Sequence, residues 1–351
     1  MGKAELDIVY KKIAEKIQGM ENSKVLPKII QKLLTPEQAA LAKEFPGTAE
    51  ELAAKIGRDL ESVRKDLQYL YEIGIGTPSA KSGKWNLPRN YPMLADRVAT
   101  HHVKMLPFLG PDYLDLWEKL SEERGPQFRI RDGKSIPQEP SRIIPAYKAV
   151  KNDSNLQPWE NTRSILSTAD KIALTHCSCA MLRRKRTFPI HTTEICLLLN
   201  RDAEYTVESG AGRYLTVDGA IKVVENCEDA GAVHTAFNMR TIVNLLCNCR
   251  PDVCVVLRAL AKYGNDPQWF FPSRYCSFID EDLCVGCGTC VDRCLFGAIS
   301  IEKKVGGKAK SVLDPQRCMG CGNCVIRCPR AAIDLKCIRP EEHVPKDREL
   351  T

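Results

Sequence analysis

The amino-acid sequence predicts an α+β protein of several domains. The first third carries clear helix-start signals, the middle third alternates short apolar strands with helices, and the last third contains a cysteine-rich internal repeat. A length of 351 residues leaves room for two or three domains at roughly 100–200 residues each. We expect a helical domain over 1–98, a cysteine-containing α/β domain over 99–272, the cysteine repeat over 273–338 and a tail over 339–351.

The composition predicts a globular protein of a reducing compartment. Hydrophobic residues make up 44% and charged residues 27%, which argues against extensive disorder. No apolar run approaches the ~20 residues that cross a bilayer, and Met1–Tyr10 lacks a signal-peptide core. We therefore expect a cytoplasmic protein without a transmembrane segment. Its 17 cysteines are then expected to ligate metal rather than form disulfides.

The first third predicts four helices and a hairpin. Apolar residues recur at helical spacing over 3–18. Thr35 and Thr48 each open a capping box, and Asp59 can cap a third, longer helix. Two strands are predicted over 75–87. The order of helix, helix, longer helix and hairpin resembles the winged helix-turn-helix superfamily, which implies a winged-helix-like N-terminal domain.

That resemblance raises the question of DNA binding. In such a fold the third helix would enter the major groove. Here it carries Arg64 and Lys65, but Glu61 and Asp66 lie beside them, whereas a DNA reader should show a basic face. The formal charge of +7 is weak support for a nucleic-acid partner. We expect a protein-docking or structural module and keep a redox-responsive DNA-binding regulator as an alternative.

The middle third predicts an α/β layer. A strand over 171–175 leads into a Cys-x-Cys pair, and a second apolar strand follows over 194–199. Thr216 can cap a helix over 218–229, and a further helix is predicted over 253–262. Strands that alternate with helices are typical of such a layer.

Two Cys-x-Cys pairs lie where predicted elements of this region end. Thiolates and imidazoles brought together at one end of a sheet could bind zinc or an iron–sulfur centre. The candidate ligands are Cys177, Cys179, Cys247 and Cys249, which His176, His234, Cys196 and Cys254 could join. The simpler interpretation is that cysteines pack as small apolar side chains, above all Cys196 and Cys254. The basic run 183–186 is either a solvated face or a docking patch for an acidic redox partner.

The same segments resemble a group of poorly characterised iron–sulfur proteins from strict anaerobes. The matching features are His-Cys-x-Cys after a strand, Ala-Gly-Ala-Val-His over 230–234 and Leu-Cys-Asn-Cys over 246–249. The resemblance implies anaerobic electron transfer and names no substrate. Relatives carry further cysteines just after the second Cys-x-Cys pair, where this chain has Arg250, Asp252 and Val253.

The last third contains two cysteine runs at an offset of 34 residues. Both follow the spacing C-x2-C-x2-C-x3-C, and the similarity continues through Ala298-Ile299 and Ala332-Ile333. Short strands are expected over 298–301 and 311–313. The first run comprises Cys284, Cys287, Cys290 and Cys294, and the second comprises Cys318, Cys321, Cys324 and Cys328. This pattern resembles the bacterial-type ferredoxins that bind two 4Fe-4S clusters.

In that family the fourth cysteine of each run ligates the other cluster. The resemblance therefore implies one cluster on Cys284, Cys287, Cys290 and Cys328, and a second on Cys318, Cys321, Cys324 and Cys294. Glycines between the cysteines let the backbone approach the clusters closely. One departure is Leu295 after Cys294, where Pro329 follows Cys328. Cys276 and Cys337 flank the runs without an assigned role.

These features predict an electron-transfer protein or subunit. It would pass low-potential electrons between a partner oxidoreductase and an acceptor, alone or within a larger oxidoreductase complex. A catalytic oxidoreductase, with a middle-domain site fed by the clusters, is the first alternative. No G-x-G-x-x-G signature supports a nicotinamide site, and the sequence leaves open whether the chain is an enzyme.

Overall fold

A computed structural model describes most of the chain in two compact units. The described residues are 3–110, 112–124, 141–182, 193–241, 244–250, 253–254, 257, 270–303 and 307–346. The first unit comprises Met1–Ile136, Cys177–Lys185 and Ser209–Ala211. The second unit comprises Pro137–His176, Arg186–Glu208 and Gly212–Thr351. The predicted helix over 253–262 and the basic run 183–186 lie largely or wholly outside the described residues.

The first unit is mainly helical. Its helices are α1 (Lys3–Glu15), α2 (Leu26–Leu33), α3 (Pro36–Lys43), α4 (Ala49–Ile56), α5 (Leu60–Glu72), α6 (Tyr91–Leu109), α7 (Asp112–Arg124) and α10 (Ser178–Met181). Strands β1 (Thr77–Pro78) and β2 (Trp85–Asn86) pair antiparallel. The helices share one apolar core, which includes Ile13, Leu26, Leu67 and Trp117.

Local sequence signals account for the helix starts in this unit. Thr35 and Thr48 both form the reciprocal capping box, in which the threonine hydroxyl accepts from the third helical amide. Asp59 accepts from the Ser62 amide at 2.9 Å and caps α5. Caps of this kind contribute about 0.5–2 kcal/mol each. The order α3, α4, α5 and hairpin agrees with the predicted order of elements, whereas α2, α6 and α7 were not predicted.

The second unit contains a seven-stranded sheet, the middle sheet. Its strands are β3 (Ser141–Ile144), β4 (Ile172–His176), β5 (Glu194–Leu199), β6 (Gly212–Tyr214), β7 (Val233–Phe237), β8 (Leu245–Cys249) and β9 (Phe270–Phe271). Their spatial order is β6-β4-β5-β8-β7-β3-β9. Helices α8 (Tyr147–Val150), α9 (Thr162–Ser167), α11 (Asn200–Glu208) and α12 (Val217–Asp229) accompany the sheet.

The pairing of this sheet differs from a parallel α/β layer. Strands and helices alternate as predicted, yet every pairing is antiparallel except that of β3 with β9. One physical reason is the short connection 238–244 between β7 and β8, because a parallel pair needs a crossover of about a dozen residues or more. Alternation along the chain does not determine the direction of pairing.

The cysteine repeat folds as two similar halves. Together they form residues 273–338, which we call the C-terminal module. The first half has β10 (Tyr275–Ile279), α13 (Thr289–Arg293) and β11 (Ile299–Lys303). The second half has β12 (Ala309–Leu313), α14 (Asn323–Ile326) and β13 (Ile333–Cys337). The first strand of each half pairs antiparallel with the last strand of the other, β10 with β13 and β12 with β11. The halves therefore interlock, and elements of one half reach the cysteines of the other. A 3-10 turn over Glu341–His343 follows.

No helix among the described residues is both long enough and apolar enough to cross a membrane.

Candidate metal centre

Two cavities in the C-terminal module collect the eight cysteines of the repeat. Each encloses about 290 Å³ when the space open to solvent is included. The lining cysteines of the first cavity are Cys284, Cys287, Cys290 and Cys328. Those of the second cavity are Cys294, Cys318, Cys321 and Cys324. Each cavity thus has three cysteines from one run and the fourth cysteine of the other run.

Two glycines allow the cysteine loops to lie against strands of the opposite half. Gly286 has φ +68° and Gly320 has φ +66°, a region that residues with a Cβ rarely adopt. A Cβ on Gly286 would stand 2.1 Å from the Ala309 carbonyl oxygen. A Cβ on Gly320 would stand 2.2 Å from the Tyr275 carbonyl oxygen. Only glycine fits at these two positions, and the close approach closes each cavity against the other half.

Backbone amides point at four of the cysteine sulfurs in a repeated pattern. The Ala298 amide donates to Cys294 Sγ and the Ala332 amide to Cys328 Sγ, both at 3.2 Å. The other two donors are the amides of Ser311, 3.4 Å from Cys284 Sγ, and of Ser277, 3.5 Å from Cys318 Sγ. Amide donors of this kind stabilise an anionic metal–thiolate centre.

Two serine hydroxyls add contacts that the sequence analysis did not identify. Ser277 Oγ lies 3.2 Å from Cys324 Sγ, and Ser311 Oγ lies 3.2 Å from Cys290 Sγ. Both serines occupy the middle of the first strand in their half, β10 and β12. The signal that could have found them is the repeat itself, since the two serines are also 34 residues apart.

The cysteines of the first cavity lie in the more polar surroundings. The Thr289 hydroxyl and amide lower the pKa of Cys287, which is exposed. Burial alone would raise the pKa of Cys284, but hydrogen bonds from Ser311 and the Gly286 amide, with the Lys310 charge, lower it overall. Cys290 is the exception in this cavity, because burial raises its pKa despite the Ser311 hydroxyl.

Two cysteines of the second cavity lie in less polar surroundings. Burial raises the pKa of Cys321 and raises that of Cys324 to about 12, although the Ser277 hydroxyl opposes the shift at Cys324. Cys321 and Met319 pack with the buried side chains of Ile143 and Val233 in the middle sheet. The Ala146 amide also donates to the Cys321 carbonyl at 3.0 Å. The second cavity is therefore built against the middle sheet.

The two Cys-x-Cys pairs of the middle region fall in different units. Cys177 and Cys179 belong to the first unit, at the start of α10. Cys247 and Cys249 lie on β8 in the second unit, in the same apolar group as Cys254 and Cys321. The metal site predicted for these pairs stays a prediction.

No three His, Cys, Asp or Glu side chains within the described ranges converge closely enough to hold a single metal ion. A four-iron cluster differs from a single ion, because each thiolate binds a different iron and the sulfurs stand farther apart. Four thiols around each cavity, with amide donors aimed at their sulfurs, fit such a cluster.

The remaining candidates have structural surroundings. His234 is buried, with Nε2 at 3.1 Å from Glu228 Oε1 and Nδ1 at 2.6 Å from Asn248 Oδ1, so both ring nitrogens are engaged. Nδ1 of His176 lies 2.6 Å from the Thr193 hydroxyl. Cys196 and Cys254 are buried, in agreement with their interpretation as core residues.

The two unassigned cysteines differ in their environment. Cys276 is buried beside Cys318, and burial together with that neighbour raises its pKa to about 11. Cys337 is half-buried on β13, with Sγ 3.6 Å from the Arg339 carbonyl oxygen. Neither thiol lines either of the two cavities described above.

Comparison with protein families agrees with this geometry. Residues 283–332 match the model of a 4Fe-4S dicluster domain, and the matched segment contains all eight cysteines of the two cavities. No curated protein matches the chain. The C-terminal module is therefore a ferredoxin-like iron–sulfur domain.

Proposed function

We propose that this chain is an electron-transfer protein that holds two 4Fe-4S clusters in the two cavities of the C-terminal module. Cys284, Cys287, Cys290 and Cys328 ligate one cluster, and Cys318, Cys321, Cys324 and Cys294 ligate the other. The observation that carries the proposal is the exchange of Cys294 and Cys328 between the cavities. A cluster that only stabilised the fold could take all four ligands from one cysteine run. The exchange of the fourth cysteine instead places two clusters side by side.

When bound, each cluster supplies one-electron redox chemistry at a potential set by its surroundings. The chain's own groups hold that charge in place. Amides of Ala298 and Ala332 donate to the exchanged cysteines, and amides of Ser277 and Ser311 donate to the first cysteine of each run. These fixed dipoles stabilise added negative charge without reorganisation.

The packing between the cavities favours electron exchange within the module. Cys290 of the first cavity and Cys324 of the second are buried in one small apolar group with Ile299 and Ile333. Cys294 and Cys328 pack against the same group. Because side chains of both cavities meet there without an intervening element, the two clusters would lie close enough for direct electron hopping.

The two cavities differ in exposure, and this difference distinguishes the outer end of the proposed electron path from its inner end. Cys287 at the first cavity is exposed, and the preceding residues Leu283 and Val285 are 45% and 54% exposed. The second cavity lies against the middle sheet through Met319 and Cys321. We propose that the cluster of the first cavity exchanges electrons with an external redox partner protein. The cluster of the second cavity would exchange electrons with groups inside the second unit.

One observation favours a further centre, which would make the chain a catalytic oxidoreductase. Cys247 and Cys249 share the apolar group of Cys321, so thiols of the middle sheet lie beside the second cavity. A centre held there would be the next step on the path. Iron analysis separates the two functions, because two clusters account for about eight irons per chain and a third iron–sulfur centre would exceed that number.

We also propose that the protein works in the cytoplasm of an anaerobic organism. A reducing compartment supports this proposal because it keeps cysteines as thiols that can bind metal. Low-potential electrons would pass between a partner oxidoreductase and an acceptor there.

Anaerobic reductive titration of the reconstituted full chain tests the proposal. We expect an uptake of two electrons per chain and reoxidation by a one-electron acceptor. Cys321→Ala should remove one four-iron cluster or convert it to a three-iron form, which EPR distinguishes, whereas Cys337→Ala, which alters a thiol outside both cavities, should leave both clusters unaltered. Two unaltered four-iron signals in Cys321→Ala would contradict the proposed ligands.

A further inference from the structure

We propose that Ser277 and Ser311 are a matched pair of hydroxyl donors, each of which sets the reduction potential of the cluster held mainly by the opposite half of the module. This inference rests on the proposed function, since it concerns the same two clusters. It adds two residues outside the cysteine runs and assigns each of them to one cluster.

The contacts of the two serines are exchanged between the halves. Ser277 precedes the first cysteine run, yet its hydroxyl lies 3.2 Å from Cys324 Sγ and its amide 3.5 Å from Cys318 Sγ. Ser311 precedes the second run, yet its hydroxyl lies 3.2 Å from Cys290 Sγ and its amide 3.4 Å from Cys284 Sγ. Each serine therefore serves the cavity of the other half with two donors.

The strand pairing places the two serines at equivalent positions in the two halves. Ser277 on β10 pairs with Leu335 on β13, and Ser311 on β12 pairs with Ile301 on β11. Leu335 and Ile301 are themselves 34 residues apart, so the repeat relates both pairs. The arrangement is a property of the repeat and not a chance contact at one site.

The hydroxyl must be the donor once a cluster is bound. A metal-bound cysteine has lost its proton, so its sulfur can only accept. A serine hydroxyl carries one hydrogen that it can turn toward an acceptor. In the described part of the chain, the hydroxyl of Ser311 has the sulfur of Cys290 as its hydrogen-bond partner, and that of Ser277 has the sulfurs of Cys324 and Cys318.

Burial makes these donors effective. Ser277 is 7% exposed and Ser311 is 5% exposed, so water does not compete for the hydroxyls. A buried hydroxyl is costly unless it is hydrogen-bonded, and an alanine or valine would fill a strand position of this kind without that cost. The hydroxyl is thus explained by what it donates to, which is a ligand sulfur in both halves.

The expected effect has a definite sign. Reduction adds one electron to a cluster that already carries negative charge, and no bond is made or broken. A hydrogen bond to the ligand sulfur stabilises the more negative, reduced state and raises the potential. Ser277→Ala should therefore make the potential at the second cavity more negative, and Ser311→Ala should do so at the first cavity.

Anaerobic redox titration followed by EPR tests the inference, with the shifted NMR signals of the cysteine β-protons assigning each midpoint to a cavity. We expect each alanine variant to shift one midpoint only, to a more negative value. Ser277→Thr and Ser311→Thr keep the hydroxyl and should stay near the unaltered potential. Ser300→Ala removes an exposed strand hydroxyl and serves as the matched control.

Three results would overturn the inference without contradicting the proposed function. The midpoints could stay unchanged in both alanine variants, or alanine and threonine could shift them equally. An alanine variant that loses its cluster while the threonine variant keeps it would assign the hydroxyl to assembly instead of potential. Absence of clusters from the unaltered chain would instead contradict the proposed function.

Discussion

Gly286 lies so close to Ala309 that a Cβ on the glycine would stand 2.1 Å from the Ala309 carbonyl oxygen. The contact joins the first cysteine loop to β12, the strand that carries Ser311. Since Ser311 donates to two cysteines of the first cavity, this close approach determines whether its donors reach their sulfurs.

Gly286→Ala should therefore prevent the first cavity from holding its cluster. The added methyl group must displace the backbone of β12, in addition to the strain of a positive φ. Gly288→Ala is the matched control, because Gly288 also has a positive φ but its Cβ would meet no atom within 4 Å. We expect the control to lose only about 1–2 kcal/mol of stability and to keep both clusters. Iron content and EPR spectra of the two variants decide the matter, and equal cluster loss in both would contradict the steric argument.

Substitution of either exchanged cysteine should affect the cluster that is bound mainly by the other cysteine run. Cys328→Ala should remove or convert the cluster bound by Cys284, Cys287 and Cys290, although Cys328 belongs to the second run. Cys294→Ala should do the same to the cluster of the second cavity. Mössbauer spectra, with cysteine β-proton NMR signals to identify the surviving cluster, measure the outcome. If each variant instead lost the cluster of its own run, the crossed ligand sets would be wrong.

A buried polar network supports the second cavity from the middle sheet. Glu228 is fully buried at the end of α12, and it accepts from the amides of Tyr147 and Lys148 and contacts His234 Nε2. Tyr147 follows Ala146, whose amide donates to the Cys321 carbonyl. The network thus holds the start of α8 in the position that contacts the second cysteine loop.

Glu228→Ala should destabilise the second unit markedly. It removes the acceptor of the Tyr147 and Lys148 amides and the partner of the buried His234 ring at Nε2, and a polar group left unsatisfied away from water costs about 1–3 kcal/mol. Glu228→Gln keeps one acceptor oxygen and should cost less, while Lys222→Ala, an exposed change on the same helix, should cost little. Chemical denaturation under anaerobic conditions gives the three values. A Glu228→Ala variant as stable as Lys222→Ala would show that the network does not support the fold.

Sequence patterns predicted the parts of this protein that depend on local chemistry. Capping boxes at Thr35 and Thr48 placed helix starts correctly, and cysteine spacing identified the metal-binding segment. The α6 helix was not predicted, although its start carries two recognisable signals, the cap residue Asn90 and a proline in the first turn.

Features that depend on distant contacts could not be predicted in the same way. Antiparallel pairing of β4, β5 and β8 follows from how the strands meet in space, and alternation along the chain does not encode it. The Glu228–His234–Asn248 network joins residues of a helix and two strands, so none of the three has a distinctive sequence environment. Ser277 and Ser311 could have been identified from the sequence only by their equivalent positions in the 34-residue repeat.

The first unit should not bind duplex DNA appreciably. On α5, Arg64 lies 3.0 Å from both Glu50 and Glu61, and Asp66 lies 2.7 Å from Arg58, which precedes the helix. Acidic partners at this helix oppose the phosphate contacts that a DNA reader needs. Gel retardation at low salt with the full chain measures this, and we expect no shifted band. Retardation that falls steeply with added salt would instead support a redox-responsive regulator.

The most direct test of the central claim is the iron and sulfide content of anaerobically purified chain, together with its Mössbauer spectrum. Two clusters predict about eight irons and as many sulfides per chain, all in four-iron environments with thiolate ligands. Protein that stays colourless and poor in iron after anaerobic reconstitution would contradict the account.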